Sequence, residues 1–438
     1  MANICVIGMG KMGLPVAALF AACGSTVVGA DINAEVVAAI NAGTCPIDNE
    51  PGLAEMISET VTTGRLRATT DTPEAVRASD VVVVLVPLLV DPRNQYEPTY
   101  RALESAMDGI GRGIRPGTLV ILETTLPVGD TRNRLGPIIE QVSGLRAGED
   151  FLLVFSPERV QSNQVIRNLL EYPKVVGGVN QRSTDAAVAF YQEALTTNII
   201  AVANAETAEF AKIAECVYRD VNIALANEMA ISAASVGVDF NDVIMAANSE
   251  PLSHIHKPGL GVGGHCIPVY PYFMINRQEP TVLAQQARKI NDGMADYATD
   301  LLRGELGSLD GQNVLVLGLS YRANVKEPTF SSAILLVQSL QRAGAQVYLL
   351  DPLFTAEEIA RYTPGALAVN PDLSGLPKFA AAIVQAWHND FRSLSWRDLP
   401  GTPIVLDGRN AVNRAEVEAA GLRYVAIGVA ERNVAASV

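Results

Sequence analysis

The chain has 438 residues, of which 49% are hydrophobic, and a formal net charge of −14. This length exceeds one typical hydrophobic core and predicts two or three domains. The acidic balance disfavours nucleic acid or an anionic membrane as the main partner, and no uncharged apolar run approaches the roughly 18 residues of a membrane span. The five cysteines are scattered, without CxxC spacing or a His/Cys cluster, which argues against a disulfide framework or structural zinc. We therefore expect a cytoplasmic protein without a metal site.

The chain opens with the pattern of a dinucleotide-binding unit. The apolar run Ile4–Ile7 predicts a buried strand, a helical pattern follows through Cys23, and Thr26–Ala30 predicts a second strand that ends at Asp31. The strand and the helix are separated by Gly8-Met9-Gly10-Lys11-Met12-Gly13, a GxGxxG turn. A strand, this turn, a helix and a strand ending in an acid are typical of a Rossmann unit.

The turn residues predict how a dinucleotide is held. Gly8 and Gly10 permit a tight turn and the approach of a pyrophosphate, and Gly13 permits close helix–strand contact. Asp31 is expected to accept hydrogen bonds from the adenosine ribose and to repel a 2′-phosphate, which favours NAD over NADP. The alternative is a glycine-rich turn without a ligand. The predicted cofactor-binding residues here are Gly8, Gly10, Lys11, Met12, Gly13 and Asp31.

Three further strands are predicted at Val81–Val86, Leu119–Leu122 and Phe151–Phe155. They end at Pro87, at a turn containing Thr125, and at a turn containing Glu158. Ligands of doubly wound sheets bind beyond the carboxyl ends of the strands, so these side chains are candidates for a site, with Glu158 as a general base. The alternatives are a turn-capping role for the Thr125 hydroxyl and a plain surface position for Glu158.

The middle of the chain predicts long helices. Residues from Asn204 to about Val236 contain no proline and no glycine before the helix ends, and a second helical pattern runs from Gln285 to Leu302. Polar side chains recur at helical spacing in the first of these and are expected to face a cleft or a partner chain. These residues are Lys212, Cys216, Arg219 and Asn222.

The stretch 255–268 holds Cys266, the one strongly nucleophilic side chain in it, directly after a glycine-rich segment. Glycines at 259, 261, 263 and 264 would let backbone and substrate approach the thiol closely. The alternative is an ordinary loop whose thiol behaves as a small apolar group.

The last region repeats the pattern of the first without GxGxxG. It predicts a strand from Asn313 that ends in glycine, a helix to about Ala343, and a strand at Gln346–Leu350 followed by Asp351. Later strands are predicted at Ala380–Val384 and Pro403–Leu406. The predicted fold is α/β, with Rossmann-like doubly wound domains at 1–200 and 307–438 joined by a helical region at 201–306 that carries the Cys266 loop. The last domain is expected to hold the other ligand or to be structural.

Several of these motifs together resemble the nucleotide-sugar 6-dehydrogenases, the family of UDP-glucose and UDP-N-acetylmannosamine dehydrogenases. The Gly-Gly-His-Cys-Ile-Pro motif and Arg219–Ala224 are more similar to its N-acetylhexosamine branch. The matching stretches are Gly8–Gly13, Glu123–Gly129, Phe155–Arg159, Lys212, Arg219–Ala224, Gly259–Pro268, Gly318–Arg322 and Asp407–Asn410.

The resemblance implies an NAD-dependent, four-electron oxidation of a sugar's primary alcohol to a carboxylate. In it, Cys266 forms a thiohemiacetal and then a thioester, Lys212 stabilises the oxyanion, Glu158 assists water or proton transfer, and Thr125 holds the water. It also implies a homodimer formed through the central helices. Further cofactor-binding residues implied are Pro87, Thr125 and Gly263, and the implied substrate-binding residues are Glu158, Arg159, Lys212, Arg219, Asn222, Gly259, Gly261, Tyr321 and Arg322.

The chain departs from the family pattern at four positions. Cys216 stands where an Asn is usual, Tyr270 where an Asp is usual, and Thr329 where an Arg is usual. Leu252 replaces an arginine that some relatives carry ahead of the cysteine loop. We interpret these changes as an altered water network and altered sugar or nucleotide recognition, with activity retained. His254, His256 and Lys257 are candidates for supplying the missing positive charge, against a plain loop role.

Three alternatives stay open at this stage. The nucleotide carrier could be dTDP, with the sugar itself unidentified. A two-electron dehydrogenase of the hydroxyacid type would share the first domain but would not need Cys266. A non-catalytic nucleotide-sugar binding protein would accommodate Cys216 and Tyr270 without an active site.

Overall fold

The computed structural model describes residues 2–47, 50–161, 163–370, 373, 375–399 and 401–429. The chain divides into two compact units. The first unit comprises Met1–Glu215 with Tyr272–Arg277, and the second comprises Cys216–Pro271 with Gln278–Val438.

The first unit is built on a mainly parallel sheet. Its strands are β1 (Asn3–Ile7), β2 (Thr26–Ala30), β3 (Leu66–Thr69), β4 (Val81–Val84), β5 (Leu89–Asp91), β6 (Glu97–Thr99), β7 (Leu119–Leu122), β8 (Leu152–Phe155), β9 (Lys174–Gly178) and β10 (Ile199–Ala201). Among the described residues, eight of them form one sheet in the order β10-β9-β8-β7-β4-β1-β2-β3. Within it only the β8–β9 pair is antiparallel, while β5 and β6 form a separate hairpin.

Helices cover both faces of this sheet. They are α1 (Gly13–Ala22), α2 (Ala34–Asn41), α3 (Leu53–Thr62), α4 (Thr72–Arg77), α5 (Arg101–Gly113), α6 (Gly136–Ser143), α7 (Val165–Glu171) and α8 (Gln181–Ala194), with a 3-10 turn at Pro92–Asn94 and a π-helical turn at Thr131–Leu135. In β1, Ile4 and Val6 enter one apolar cluster, and Cys5 and Ile7 enter the cluster on the opposite face. Because both faces are buried, the strand is an unbroken apolar run, as the sequence pattern predicted.

The central helices are α9 (Ala205–Ser235), α10 (Phe240–Ala247), α11 (Pro271–Ile275) and α12 (Val282–Leu306). The two long helices of the sequence analysis are thus confirmed. The α9 helix starts in the first unit and ends in the second. It stops before Gly237, which adopts a φ of 76°, the left-handed conformation that commonly ends helices.

The second unit carries a parallel sheet formed by β11 (Asn313–Leu317), β12 (Gln346–Leu350), β13 (Leu367–Ala368), β14 (Ala381–Val384), β15 (Ile404–Asp407) and β16 (Arg423–Ala426). The strand order in the described residues is β13-β12-β11-β14-β15-β16. Its helices are α13 (Ser332–Arg342), α14 (Ala356–Tyr362) and α15 (Arg414–Ala419), with 3-10 turns at Asn389–Ser393 and Trp396–Asp398. One core cluster joins Val314 and Val316 to Ala226 of α9 and Leu302 of α12, and the opposite cluster holds Leu315 and Leu317.

The predicted α/β class with two Rossmann-like sheets and a long central helix is confirmed. One local expectation needs correction: the helix after Gly318 begins only at Ser332, so residues 319–331 form a long loop instead. None of the described helices is both long enough and apolar enough to cross a membrane.

Candidate active site

The GxGxxG turn lies between β1 and α1, and two of its glycines are required by close packing. Gly8 adopts a φ of 90°, and a Cβ added there would lie 3.0 Å from the backbone of Leu85. A Cβ added to Gly13 would lie 1.7 Å from the Gly8 carbonyl oxygen. In the described part of the chain, a Cβ added to Gly10 meets no atom within 4 Å. The turn is therefore tight at its ends and open in the middle, which fits a pyrophosphate at the helix N-terminus.

Asp31 follows β2 and is held beside the same turn. Its Oδ2 accepts the N–H of Met9 at 2.7 Å, and its Oδ1 accepts the N–H of Asn33 at 2.9 Å. The side chain is half-buried, and a carboxylate has about four lone-pair sites, so acceptor capacity remains for ribose hydroxyls. The residues present fit an NAD molecule bound at this sheet edge.

Two further predicted cofactor residues, Pro87 and Thr125, follow β4 and β7, which are neighbours in the sheet. Thr125 is 6% exposed, and Pro87 is exposed. Within the glycine turn, Lys11 is exposed and Met12 is half-buried against the core. These four residues belong to the first unit, whereas the predicted cofactor residue Gly263 belongs to the second.

Glu158 lies in a buried cluster of charged and phenolic groups. The ammonium of Lys174 is 2.9 Å from Glu158 Oε2 and 3.0 Å from Glu123 Oε2. The hydroxyl of Tyr191 donates a short hydrogen bond to Glu123 Oε1. The second oxygen of Glu158 accepts the N–H of Arg159 at 2.7 Å. Two carboxyl groups therefore share one ammonium in the interior of the first unit.

The pKa values in this cluster shift apart. Burial raises the pKa of Glu123 to about 7. At Glu158 burial acts in the same direction, but the charge and hydrogen bond of Lys174 and the Arg159 N–H outweigh it, so its pKa is lowered. Burial opposes the charged form of Lys174, yet the two carboxyl groups raise its pKa above the usual value. The structure thus separates the two acids into different protonation ranges.

Lys212 and Arg159 lie next to this cluster. Lys212 is 7% exposed, and its Nζ donates to the backbone carbonyl of Glu158 at 2.7 Å. Arg159 Nη1 pairs with Glu215 at 2.8 Å and its Nη2 donates to the Pro173 carbonyl. The structure brings Glu158, Arg159 and Lys212 together in the first unit.

The glycines before Cys266 pack against other backbone segments of the second unit. A Cβ added to Gly261 would lie 2.4 Å from the carbonyl oxygen of Asn291, and one added to Gly263 would lie 2.9 Å from that of Phe330. Gly259 donates its N–H to Asn227 Oδ1 at 2.8 Å, and Gly264 donates to the Thr329 carbonyl at 3.0 Å. Close approach is thus needed within the protein itself, between the glycines and neighbouring segments of the second unit.

Cys266 is half-buried and starts a turn. Its carbonyl accepts the N–H groups of Val269 at 3.2 Å and Tyr270 at 2.9 Å. The preceding His265 is exposed and places Nε2 3.2 Å from Oε2 of the buried Glu327. The loop is therefore fixed on both sides of the thiol by contacts within the second unit.

Tyr321, a predicted substrate residue of the second unit, lies against the cysteine loop, since a Cβ added to Gly264 would lie 3.3 Å from its ring. Burial raises the pKa of Tyr321, with Cys266 adding to the rise and Arg322 and Arg219 opposing it. The Arg322 guanidinium lies 5.8 Å from the ring centre of Tyr321. Asn222 donates back to the Tyr218 carbonyl of its own helix at 2.7 Å. The second unit thus collects two arginines, a tyrosine and the thiol, whereas Glu158 and Lys212 belong to the first unit.

The four departures from the family pattern occupy different environments. Cys216 is 3% exposed, Tyr270 is half-buried, and Leu252 is 88% exposed. Thr329 donates its N–H to Glu327 Oε1 at 3.0 Å and accepts the N–H of Gly264 through its carbonyl. The backbone of Thr329, and not its side chain, therefore makes these two hydrogen bonds to Glu327 and to the cysteine loop. Burial lowers the pKa of His256, and Arg219 lowers it further.

Sequence reasoning missed Arg409 as an organiser of the cysteine loop. Its Nη1 donates to the Gly261 carbonyl at 2.9 Å and its Nη2 to Ser332 Oγ at 2.6 Å, while Nε donates to the Gln385 carbonyl at 2.9 Å. Burial lowers its pKa to about 10, so it stays a cation at neutral pH. The Asp407–Asn410 motif was the available signal. For Lys174, the sequence offered no comparable signal.

Comparison with known proteins agrees with this arrangement. Models of the UDP-glucose/GDP-mannose dehydrogenase family match three successive regions: the NAD binding domain at residues 2–195, the central domain at 206–293 and the UDP binding domain at 315–414. No group of three or more His, Cys, Asp or Glu side chains suited to a metal ion occurs among the described residues.

Relatives match over nearly the whole chain. The UDP-N-acetyl-D-mannosamine dehydrogenase of Pyrococcus horikoshii is 34% identical over 428 residues, which cover 95% of this chain and 97% of the relative. The NDP-N-acetyl-D-galactosaminuronic acid dehydrogenase of Ralstonia solanacearum is 33% identical, covering 93% and 95%. A solved structure of UDP-D-ManNAc dehydrogenase from P. horikoshii superposes with a TM-score of 0.86 at 32% identity, covering 97% of this chain and 99% of that chain. The chain therefore belongs to the UDP-glucose/GDP-mannose dehydrogenase family, as an NAD-dependent nucleotide-sugar dehydrogenase.

Proposed function

We propose that the protein oxidises the primary alcohol of a nucleotide-hexose to the uronic acid in a four-electron reaction, with Cys266 as the nucleophile. The substrate is a UDP-N-acetylhexosamine or UDP-glucose. The observation that carries the proposal is the setting of Cys266: a half-buried thiol on a fixed turn, after two glycines that pack against Tyr321 of the same unit. The names of the two relatives described above favour an N-acetylated hexose.

The chemistry explains the need for a thiol. After the first oxidation, the aldehyde carbon has no group that can support a second hydride loss until a nucleophile adds to it. The Cys266 sulfur forms a C–S bond with that carbon, and the carbonyl oxygen takes up the displaced electron pair. Loss of the second hydride converts the thiohemiacetal to a thioester. NAD, when bound, would accept each hydride, and two NAD molecules would be reduced for each sugar molecule.

Lys212 and Glu158 have complementary roles in the proposal. An ammonium has three donors, and one of those on Lys212 is committed to the Glu158 carbonyl. The remaining donors can stabilise the developing oxyanion. Glu158 accepts the proton of the water that attacks the thioester, the C–S bond breaks, and its electron pair returns to Cys266. Thr125 is assigned to hold that water.

The remaining site residues divide between the two ligands. Gly8, Gly10, Gly13 and Asp31 hold the dinucleotide, with Lys11, Met12, Pro87, Thr125 and Gly263 completing that set. Arg219 and Arg322 supply positive charge for the diphosphate of the sugar nucleotide. Arg159, Asn222, Gly259, Gly261 and Tyr321 are assigned to the same ligand.

We further propose a homodimer through α9. Large apolar side chains stay exposed along this helix at Phe210 (45%), Tyr218 (61%) and Leu225 (49%). The last two are seven residues apart, which places them on one face of a helix. Replacing Tyr218 by glutamate should shift the mass measured by light scattering from dimer to monomer; an unchanged dimer would contradict the proposal.

The test of the reaction counts NADH formed per sugar over a panel of UDP- and dTDP-hexoses. The wild-type protein should form two NADH per molecule of its substrate. Cys266→Ser should form at most one, because the second oxidation lacks its nucleophile. The matched control is Cys23→Ser, which removes an exposed thiol of the first unit.

The same count separates the alternatives. Two NADH per sugar from Cys266→Ser would overturn the covalent mechanism. One NADH from the wild type would indicate a two-electron dehydrogenase, and none over the whole panel would indicate a binding protein. The preferred panel member identifies the nucleotide carrier.

A further inference from the structure

We propose that Glu123 and Lys174 are positioning residues for Glu158. The two carboxyl groups beside the Lys174 ammonium share one proton, with Glu123 neutral and Glu158 negatively charged. This inference rests on the role proposed above for Glu158. It assigns a task to two residues that the sequence motifs left without one.

The geometry makes the three groups one electrostatic unit. Lys174 Nζ contacts one oxygen of each carboxyl group, at 3.0 Å for Glu123 and 2.9 Å for Glu158. The side chains are 7%, 0% and 11% exposed, respectively. One buried ammonium therefore bridges the two carboxyl groups.

Charge balance argues for a single extra proton. Two ionised carboxylates and one ammonium would leave a net negative charge in a buried site, which is costly. One added proton makes the group neutral. The paired aspartates of aspartic proteases show the same effect, since two close carboxyl groups do not both ionise readily.

The surroundings place the proton on Glu123. Glu158 Oε1 accepts the N–H of Arg159 at 2.7 Å, and this carboxyl group keeps some exposure. Glu123 is fully buried, and its further partner is the Tyr191 hydroxyl, which can accept a hydrogen bond from a protonated carboxyl group, whereas the Arg159 N–H can only donate. The pKa shifts agree, since burial raises that of Glu123 while Lys174 and the Arg159 N–H lower that of Glu158.

Other charged groups near the cluster have different partners. Lys212 of α9 donates to the backbone carbonyl of Glu158 and not to its carboxylate. The Arg159 guanidinium pairs with Glu215. Tyr191 of α8 presents its hydroxyl to Glu123 and lies under Lys174, whose Nζ is 5.3 Å from the ring centre. Lys174 is therefore the cation that sets the charge of Glu158.

The consequence for the reaction is a base that is ionised when the thioester forms. As the water oxygen attacks, one water proton moves to Glu158 and the C–S bond breaks toward sulfur. Without Lys174, the Glu158 carboxylate would lose its counter-ion, and its proton affinity would rise. The acid limb of the pH–rate profile should report this change.

The experiment measures kcat and KM for the nucleotide sugar from pH 3.5 to pH 9, a range that includes the acid limb of a base whose pKa is lowered. In Lys174→Met, the acid limb should move up by about one pH unit or more, a tenfold loss of kcat on that limb. KM should change less than twofold. Lys174→Arg should restore the acid limb, and Lys289→Met, which removes an exposed lysine, should leave it in place.

A second variant keeps the test decisive if Lys174→Met does not fold. Glu123→Gln imitates the protonated acid, so the acid limb should stay in place or move down. An upward movement in Glu123→Gln, or an unmoved limb in folded Lys174→Met, overturns the inference. Glu158→Gln distinguishes failure of this inference from failure of the proposed role of Glu158. If Glu158→Gln loses activity while Lys174→Met shows no shift of the acid limb, only the inference fails. If Glu158→Gln retains full activity, both the inference and the proposed role of Glu158 fail.

Discussion

Gly8 in the first unit and Gly318 in the second occupy equivalent places in two similar sheets. Each follows the first strand of its sheet in chain order and donates its N–H at 2.8 Å to the carbonyl of the last residue of the neighbouring strand, Ala30 or Leu350. Each adopts a positive φ, 90° and 100°. In both sheets the first strand pairs with the second in a parallel register of five residues. The starting geometry of the two sheets is therefore the same.

The acids after the second strands differ in what they leave open. Asp31 and Asp351 each accept, at 2.7 Å, the N–H of the residue after the glycine, Met9 or Leu319. Asp31 is half-buried, whereas Asp351 is 2% exposed and also contacts His388 Nε2 at 3.0 Å. Asp31 therefore keeps acceptor capacity for a ribose, whereas the carboxylate of Asp351 is occupied by partners within the protein.

The segments after Gly8 and Gly318 also differ, in the distance along the chain between the glycine and the next helix. In the first unit the helix begins at Gly13, so its N-terminus stays close to the strand end. In the second unit the helix begins at Ser332, and the intervening loop packs on the cysteine loop at Gly263 and Gly264. In the second unit the protein itself therefore occupies the acid and separates the helix N-terminus from the strand end, the two features with which a Rossmann turn binds a dinucleotide.

The largest expected effect comes from the paired glycines. Gly13→Ala should weaken NAD binding at least tenfold and destabilise the first unit, because its Cβ would meet the Gly8 carbonyl at 1.7 Å. Gly318→Ala should cost about 1–3 kcal/mol of stability, because its Cβ would lie 2.6 Å from Ala386, without a direct effect on NAD affinity. Titration calorimetry and denaturant unfolding measure the two quantities.

The control for this pair is Gly293→Ala in α12. No described atom lies within 4 Å of its added Cβ, so it should stabilise the helix by roughly 0.5–1 kcal/mol. Equal losses of NAD affinity in Gly13→Ala and Gly318→Ala would contradict the distinction between the two turns.

A comparable effect is expected from the paired acids. Asp351→Asn should lower the free energy of unfolding by about 2–3 kcal/mol, since the carboxylate accepts backbone N–H groups of Leu319, Ser320 and Leu353 and contacts His388. Asp31→Asn should weaken NAD binding about tenfold, or about 1.4 kcal/mol, and change stability little. The comparison would be refuted if Asp31→Asn mainly lost stability and Asp351→Asn mainly lost NAD affinity.

The smallest effect concerns acid stability. Burial acts to raise the pKa of Asp351, but His388 and the N–H groups of Leu353 and Leu319 outweigh it and lower the pKa below the usual value. A depressed pKa adds stability that is present above the unfolded pKa and is lost as the pH falls through the folded one. The wild type should therefore lose stability on acidification below about pH 4, and Asp351→Asn should lose less. Unfolding curves at pH 3 to pH 6 measure this difference.

The sequence by itself determined the class of fold and the order of its main elements. Strands such as Val81–Val84 and Leu119–Leu122 are covered on both faces, so they appear as unbroken apolar runs. The GxGxxG turn and the long α9 helix are local patterns of spacing and composition. The family motifs pointed to an NAD-dependent nucleotide-sugar dehydrogenase. The three-domain division, the residue roles and the dimer remain predictions.

Only the tertiary structure decided which side chains meet. Lys174 reaches both Glu123 and Glu158 because the strands that carry or precede them lie close together in the sheet. Arg409 donates to the Gly261 carbonyl, 148 residues away in the sequence. His388 contacts Asp351 and so occupies the acid beside the Gly318 turn. A sequence records residue types and local spacing, whereas a buried charge is stabilised by whichever partner the folded chain brings to it. That is why the cysteine loop could be found from its glycines, while the contacts that hold it could not.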